Sequence, residues 1–90
     1  MEIVKKTYSL SEQLSAEERF GLVSQITRAA VSIPSNIAEG SSRTSDKDKK
    51  RFVEIALSSA FELDNALLII RDLELANPVD ADELIERLHE

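Results

Sequence analysis

The stretch from Ser15 to Gly40 constrains the fold of this chain more than any other. Its apolar positions are spaced three or four residues apart, at Val23, Ile26, Ala30, Ile33 and Ile37. This spacing is typical of one face of an α-helix. The spacing keeps its phase across Pro34, which two separate helices would have no reason to do. We therefore predict one kinked, continuous helix rather than a break at the proline. We expect Gly40 to end it in a left-handed conformation.

The composition narrows the class of protein. Ninety residues are enough for one domain, which we predict to span residues 1–90. A chain of this length buries only about 60–65% of the surface that it exposes when unfolded. The absence of cysteine excludes disulfides and thiolate metal sites. With 17 acidic and 11 basic residues, the net charge of −6 argues against attraction of the whole surface to nucleic acid or membrane. No stretch approaches the roughly 20 apolar residues of a membrane span, and the N-terminus lacks a signal-peptide core. We predict a cytoplasmic protein with no membrane partner.

Three further helices are predicted around this one. They are a first helix over Glu2–Leu14, a third that begins after a cap at Thr44 or Ser45 and runs to about Leu75, and a fourth over Ala81–Leu88, capped by Asp80. Short turns join them, and the chain has only two glycines and two prolines. We therefore predict an all-α fold, an up-and-down antiparallel four-helix bundle with short first and last helices and a Pro-kinked second helix.

The third helix carries more apolar surface than its neighbours can cover. A seam runs along it (Phe52, Ala56, Ser59, Leu63, Ala66, Ile70 and Leu73), a second stripe flanks the seam (Val53, Leu57, Ala60, Leu67 and Leu68), and Ile55, Phe61 and Ile69 widen the surface. A helix of roughly 30 residues spans about 45 Å, three times the length of a ten-residue helix. Part of this surface is therefore expected to lie between copies of the chain. The residues that we expect at that interface are Phe52, Leu57, Phe61 and Leu68.

The polar side of the second helix permits two interpretations. It carries Gln25, Arg28, Ser32, Ser35, Asn36 and Glu39, most of them small and uncharged. In the interpretation that we favour, these residues bind carbonyls freed by Pro34 and hydrogen-bond to a neighbouring helix or subunit. Arg28 and Glu39 could pair across such an interface. In the other interpretation, this side is a site for a ligand or a partner.

A run of basic residues marks the start of the third helix, at Arg43, Lys47, Lys49, Lys50 and Arg51. At about 100° per residue, Lys47, Lys50 and Arg51 point away from the apolar seam. Cations in the first turns oppose the helix dipole, so helix stability does not explain them. They form either a solvated surface neutralised by Asp46, Asp48 and Glu54, which we favour, or a patch that contacts the phosphates of RNA or DNA. No aromatic residue is interleaved with them, which argues against stacking on single strands.

The chain offers no set of residues for catalysis. Its one histidine, His89, is next to the last residue, and no second histidine is present to complete a serine–histidine nucleophile or a di-metal helix bundle. Capping of the fourth helix explains the acidic pair Asp80 and Glu83. We therefore predict a protein without enzymatic activity, catalytic residues, cofactor or metal.

One series of motifs resembles a known family. It comprises Arg19-Phe20-Gly21-Leu22, Ser24-Gln25-Ile26, Arg28-Ala29-Ala30 and the run Ser32–Gly40, and the similarity extends from Ser15 to about Leu75. The family is that of the bacterial proteins encoded within intervening sequences of 23S ribosomal RNA genes. It is also similar to the accessory protein of diversity-generating retroelements. The resemblance implies a four-helix bundle, a ring of five identical chains and no catalytic residue. For the retroelement relative, it implies binding of nucleic acid and of a reverse transcriptase through a basic surface.

Two hypotheses on function follow. The first is a non-enzymatic scaffold that self-assembles, as a homopentamer by the resemblance. The alternative is an accessory nucleic-acid-binding protein that uses Arg43–Arg51, whose partners would be RNA, DNA or a reverse transcriptase.

Overall fold

A computed structural model describes residues 2–89 and, of Arg19, only the backbone. Its helices are α1 (Glu2–Ser11), α2 (Ser24–Ser41), α3 (Asp46–Asp72) and α4 (Pro78–Leu88), and a 3₁₀ turn (Ala16–Glu18) followed by a π-helical turn (Arg19–Val23) leads into α2. No strand occurs within the described residues. Consecutive helices run antiparallel and share one core, which confirms the predicted all-α four-helix bundle.

The core lies where all four helices meet, at one end of the α2–α3 pair. Its fully buried side chains include Leu10 of α1, Ile26 and Ala30 of α2, Leu63, Ala66, Leu67 and Ile70 of α3, and Leu84 of α4. The three- and four-residue steps place these side chains on one side of each helix. Burial of one leucine or isoleucine stabilises the fold by about 1.5–3 kcal/mol, so this cluster holds the bundle together.

The first helix ends earlier than predicted, at Ser11 rather than Leu14. The next three backbone amides, those of Glu12, Gln13 and Leu14, bind carbonyls three or four residues behind them, which tightens the chain into a turn. Leu14 is buried in the core, and Gln13 reaches the connection between α3 and α4. Gln13 accepts a hydrogen bond from the Asn77 amide and donates one to Asp80, each at 2.8 Å. The turn after α1 is therefore fastened to the start of α4.

The second helix also begins differently from the prediction. The chain from Ser15 forms the 3₁₀ turn, in which the Glu18 amide binds the Ser15 carbonyl at 3.0 Å, and then the π turn. A π turn holds more residues than an α turn, so it shifts the phase of the side chains that follow. Leu22 and Val23 pack on the core, whereas Phe20 is 90% exposed.

Pro34 lies within α2, and the helix continues through it to Ser41. The prediction of a continuous helix is therefore confirmed. The predicted apolar positions that are buried or packed against the core are Val23, Ile26, Ala30 and Ile33. Ile37 is 51% exposed, because α1 and α4 pack nearer the other end of α2.

Gly40 is a helical residue and not a left-handed cap, so that prediction is wrong. No glycine of the described chain has a positive φ, and α2 runs one residue beyond Gly40. Because Gly40 has no side chain, α2 can pack closely on α3 at this position. A Cβ added to Gly40 would come within 3.1 Å of the Phe52 Cβ and 3.5 Å of the Lys49 carbonyl oxygen.

The helix that ends on a left-handed residue is α3. Glu74 has a φ of 53°. Its amide binds the Arg71 carbonyl at 3.1 Å, and the Leu75 amide binds the Ile70 carbonyl at 3.0 Å. These two bonds form a Schellman motif. The motif closes α3 at Asp72, before the predicted end.

Side-chain caps begin the last two helices. Ser45 caps α3 by accepting a hydrogen bond at 3.1 Å from the amide three residues on, as predicted. α4 begins at Pro78 instead of Ala81, and Asn77 caps it by accepting a hydrogen bond at 2.9 Å from the amide two residues on. Proline suits the first helical position, where no helical amide bond is lost. The predicted cap, Asp80, lies inside the helix.

The difference in helix length shapes the molecule. α3 has 27 residues and α4 has 11. At a rise of about 1.5 Å per residue, α3 is about 40 Å long and α4 about 16 Å. Two contacts, Arg71 with Asp82 at 3.2 Å and Asp64 with His89 at 3.1 Å, mark the part of α3 that α4 accompanies. Beyond it, α2 and α3 continue as a two-helix hairpin over residues 32–61, which we call the arm.

Candidate interaction surfaces

An apolar surface lies open on the arm. Val53, Leu57 and Phe61 are 56, 55 and 64% exposed. They follow one another at four-residue spacing, on the side of α3 along which α4 packs further down the helix. We call this row, with Lys50 before it and Asp64 after it, the α3 stripe. The predicted shortage of cover for the third helix is confirmed by the exposure of these side chains.

The other residues predicted at an interface are less exposed. Phe52 and Leu68 are both half-buried. Arg43 covers Phe52, since its guanidinium carbon lies 4.9 Å from the ring centroid. Three more apolar side chains are exposed on the other side of this helix: Ile55 and Ile69 of α3, and Leu73 directly after its end. They are spread along the helix, whereas the α3 stripe occupies consecutive turns.

The five basic residues predicted as a phosphate patch all lie exposed at the tip of the arm. Arg43 binds Glu39 at 3.2 Å. Lys47, Lys49, Lys50 and Arg51 belong to the first turns of α3, and none of them forms an ion pair within residues 2–89. The neutralisation that we favoured, by Asp46, Asp48 and Glu54, is therefore not made through direct ion pairs. The tip presents a local positive charge on an acidic chain.

An aromatic ring does lie beside these cations, which sequence reasoning missed. Phe52 and Arg43 are separated by the turn between α2 and α3, so helical spacing gave no signal for their contact. A guanidinium over a ring face is a favourable cation–π arrangement. Because Arg43 occupies that face and the ring is half-buried, Phe52 is not a free platform for a nucleic-acid base.

Acidic residues gather toward the other end of the molecule. Residues 80–89 contain four acidic residues and one arginine, whereas residues 43–51 contain five basic and two acidic residues. The molecule measures 43 Å along its longest axis. The charge is therefore distributed unevenly along the molecule. The tip of the arm is predominantly basic, and the end that contains α4 is predominantly acidic.

Two clefts flank Arg28 on the polar side of α2. One, of about 330 Å³, lies between α2 and α3, and the other, of about 480 Å³, lies between α1 and α2. Gln25, Ala29, Ser59 and Glu62 line the first, Tyr8, Thr27, Val31, Ser35 and Asn36 line the second, and Arg28 and Ser32 line both. These clefts contain much of the polar set singled out in the sequence.

A hydrogen-bond network in this region joins α2 to α3. Ser59 donates to the Ser32 hydroxyl at 2.8 Å. Asn36 donates to the same hydroxyl at 2.9 Å and to the Ser32 carbonyl at 2.8 Å. Ser59 is 8% exposed, so its hydroxyl needs this partner. Ser32 and Asn36 therefore contribute to packing within one chain.

The carbonyl that loses its helical hydrogen bond because of Pro34 does not receive one from a polar side chain of α2, as had been predicted. Ser35 donates to the Val31 carbonyl at 2.8 Å, and Asn36 binds the carbonyl one residue further on. The carbonyl opposite the proline ring is that of Ala30, and no side-chain hydrogen bond of the described residues reaches it. The polar side chains thus bind the neighbouring carbonyls only.

Arg28 has no carboxylate partner among the described side chains. Its Nε donates to the Ser24 carbonyl at 3.4 Å. Glu39, its predicted partner across an interface, binds Arg43 of its own chain, and Glu62 lines the same cleft without pairing. The clefts therefore supply hydrogen-bonding groups but no paired nucleophile and base.

The remaining charged contacts fasten the α4 region to two neighbouring helices. Lys6 with Glu83 and Glu2 with Arg87 join it to α1, and the contacts of Arg71 and His89 join it to α3. His89 is exposed and lies beside Asp64 at the surface. Arg71 binds Asp82 and Asp72, each at 3.2 Å, and these hydrogen bonds, chiefly that to Asp82, raise the pKa of the Arg71 guanidinium. In the part of the chain that the structure describes, no three His, Asp or Glu side chains gather closely enough to hold a metal ion. None of its helices combines the length and apolar character needed to cross a membrane.

Comparison with known proteins identifies one family. The family model described as 23S rRNA-intervening sequence protein matches residues 1–90, the whole length of the chain. The match includes the stretch from Ser15 to Leu75 that carries the motifs and extends beyond it at both ends. None of the curated proteins matches the chain.

Proposed function

The chain belongs to the 23S rRNA-intervening sequence protein family, and we propose that it acts there as a non-enzymatic scaffold that assembles with copies of itself. The α3 stripe is the observation that supports this proposal. Val53, Leu57 and Phe61 are each more than half exposed on consecutive turns of one helix. Apolar surface that stays open on a folded domain commonly marks a protein interface.

The small size of the chain favours assembly. A 90-residue domain buries a smaller share of its surface than a large one and gains stability when partners cover what remains. Each leucine or phenylalanine that moves from water into an interface contributes up to about 1.5–3 kcal/mol. Assembly would bury the apolar side chains of α3 that remain exposed in a single chain. The resemblance implies five copies, and the number of chains is what the experiment measures.

Light scattering coupled to size-exclusion chromatography tests this proposal. We expect a molar mass of several chains that falls on dilution. Leu57→Asp should shift the protein to the monomer, because a carboxylate is costly to bury without a partner. Ile69→Asp is the matched control, since Ile69 is an exposed apolar residue on the other side of α3. Circular dichroism of both variants verifies the helical fold. A monomeric wild-type protein at every concentration would contradict the proposal.

A second function is favoured by the tip of the arm. Lys47, Lys49, Lys50 and Arg51 are exposed and make no ion pair in the described structure. Phosphates of nucleic acid are partners that suit such a cluster, and several tips in one assembly would add avidity. The partners would be RNA, DNA or, as the resemblance to the retroelement protein implies, a reverse transcriptase.

Gel shifts with structured RNA and duplex DNA over a salt series test this second function. We expect the triple variant Lys47→Ala/Lys50→Ala/Arg51→Ala to weaken binding. It should also flatten the salt slope by roughly 0.9 for each phosphate of duplex DNA that the variant no longer neutralises. Lys5→Ala, which removes an exposed cation from α1, is the control. Equal affinity of the triple variant and the wild type would end this interpretation.

A further inference from the structure

We propose that the cleft between α2 and α3 around Arg28 and Glu62 binds a free α-amino acid in its zwitterionic form. The carboxylate of the ligand binds the Arg28 guanidinium, and its ammonium group binds the Glu62 carboxylate. This inference concerns a small-molecule ligand and does not depend on the proposed self-association.

Opposite charges lie on the two walls of this cleft without neutralising each other. Arg28 belongs to α2 and Glu62 to α3, and both side chains are exposed. Among the described residues, neither of them forms an ion pair, and Glu62 has no hydrogen-bond partner either. A cation and an anion that line one cleft without meeting leave space between them for a ligand that carries both charges.

The guanidinium of Arg28 is available to a carboxylate. Its Nε donates to the Ser24 carbonyl at 3.4 Å, which is longer than the usual range of about 2.7–3.2 Å. The two terminal nitrogens have no acceptor among the residues that the structure describes. Their N–H groups form a planar fork that matches the two oxygens of a carboxylate. Glu62, with two acceptor oxygens, suits the three N–H donors of an ammonium group.

Two serine hydroxyls at the bottom of the cleft offer further hydrogen bonds. Ser59 is 8% exposed, and its hydroxyl lies 2.8 Å from that of Ser32, which also accepts a hydrogen bond from Asn36 at 2.9 Å. Each hydroxyl has one hydrogen to donate. Only one of the two hydrogens can lie between the two oxygens, so the other has no acceptor in the described part of the chain. That hydrogen is a donor for the ligand carboxylate, and the Ser59 oxygen can accept from the ammonium group.

The volume of the cleft restricts the ligand to small molecules. It is about 330 Å³, roughly eleven times the 30 Å³ or so that one water molecule occupies in the liquid. Small-molecule sites in proteins begin at about 300 Å³. An α-amino acid carries its carboxylate and its ammonium group on one carbon atom and is of this size.

A ligand with a charge of one sign only fits the cleft less well. A simple anion that is attracted to Arg28 is repelled by Glu62, and the reverse holds for a simple cation. A zwitterion makes both contacts attractive. Because both side chains are in contact with water, each contact is weak, and we expect a Kd on the order of 1 mM.

The cleft and the α3 stripe lie on different sides of α3. At about 100° per residue, Ser59 and Glu62 are rotated by about 160° and 140° from Leu57. Ligand binding and assembly through the α3 stripe therefore use different surfaces, so each can be measured without disturbing the other.

NMR titration of the full-length, ¹⁵N-labelled chain tests the site. The ligands are L-alanine, L-serine, L-leucine and L-glutamine, which share the zwitterionic group and differ in side chain. We expect saturable shifts of the Ser32, Ser59 and Glu62 amides. N-acetyl-L-alanine lacks the ammonium group and L-alaninamide lacks the carboxylate, so each should bind about tenfold more weakly than L-alanine. No saturable shift for any of the four amino acids, at about ten times the expected Kd, would overturn the proposal.

Two substitutions separate the two charges. Arg28→Gln and Glu62→Gln should each weaken L-alanine binding about tenfold. Arg28→Gln should bind L-alanine and L-alaninamide alike, because the group that recognises the carboxylate is gone. Arg51→Gln and Glu54→Gln, which remove exposed charges of α3 outside the cleft, are the matched controls and should bind as the wild type does. Equal affinity of Arg28→Gln and Arg51→Gln for L-alanine would contradict the site and leave the proposed scaffold intact.

Discussion

The backbone of Gly40 lies so close to Phe52 that a Cβ on the glycine would stand 3.1 Å from the Cβ of the phenylalanine. Carbon atoms pack best at about 3.5–4.0 Å. The Phe52 Cβ is bonded to its own backbone, so no rotation of the side chain relieves the contact. The absence of a side chain at residue 40 therefore sets how closely α2 and α3 approach at the arm.

We expect Gly40→Ala to lower the free energy of unfolding by about 1 kcal/mol, since overpacking costs about 1–3 kcal/mol and helix propensity returns about 1 kcal/mol. Urea denaturation measures the change. Gly21→Ala is the matched control, because a Cβ there meets only the Glu18 Oε2 at 4.0 Å. That variant should be neutral or stabilised. A destabilisation of the same size in both variants would contradict the role assigned to the Phe52 contact.

Pro34→Ala should raise the free energy of unfolding by about 1–2 kcal/mol, because it restores an amide to the Ala30 carbonyl and removes a ring from a helix interior. Circular dichroism and chemical denaturation of the variant measure this. Ser35→Ala changes the next residue without adding an amide and serves as the control. A destabilised Pro34→Ala protein would show instead that the packing of α2 on α3 requires the proline.

Glu74→Gly should stabilise the protein by about 1 kcal/mol, because a left-handed conformation costs a side-chain-bearing residue about 1–2 kcal/mol and costs glycine little. Removal of a negative charge near the C-terminal end of α3 is also favourable. Glu74→Ala removes the charge and keeps the strain, so thermal melting of both variants separates the two effects. Equal melting temperatures of Glu74→Gly and Glu74→Ala would show that the left-handed conformation of residue 74 has no measurable cost in stability.

Gln13→Ala should loosen the start of α4, because the Asn77 amide loses the acceptor at 2.8 Å and Asp80 loses a donor. Two such hydrogen bonds at the surface contribute about 1 kcal/mol or somewhat more. Hydrogen exchange at the Asn77 amide is the most direct readout and should accelerate severalfold. Gln25→Ala, at an exposed glutamine that lines a cleft, should leave that exchange rate unchanged. Unaltered exchange in Gln13→Ala would mean that Asn77 does not depend on this contact.

Helix positions were predictable where a local signal was present. The spacing of Ile26 and Ala30 was sufficient to predict a helix that continues through Pro34. The polar side chains of Thr44 and Ser45 predicted the start of α3 to within one residue, and Ser45 is the cap. The ends were harder to predict. Gly40 suggests a cap because glycine is the usual left-handed residue, but Glu74 takes that conformation, held by the Schellman bonds that follow α3.

The candidate surfaces were likewise predictable only where a local sequence signal was present. Amphipathic spacing identified Leu57 and Phe61 as apolar residues outside the main seam. It also predicted that Ile37 would be buried. Ile37 is exposed, because the short helices α1 and α4 pack nearer the other end of α2. Spacing along one helix likewise gave no indication that Arg43 lies over Phe52, since the two residues meet only when the hairpin closes.

The order of residues was enough to establish which stretches are helical, which side of each helix is apolar and which motifs mark the family. Periodicity and capping act between residues a few positions apart, so they can be read along the chain. How far α1 and α4 extend beside α2 and α3, and hence which apolar side chains stay in water, followed from the folded arrangement alone. That outcome depends on contacts between residues distant in sequence, such as Gln13 with Asn77 and Asp64 with His89.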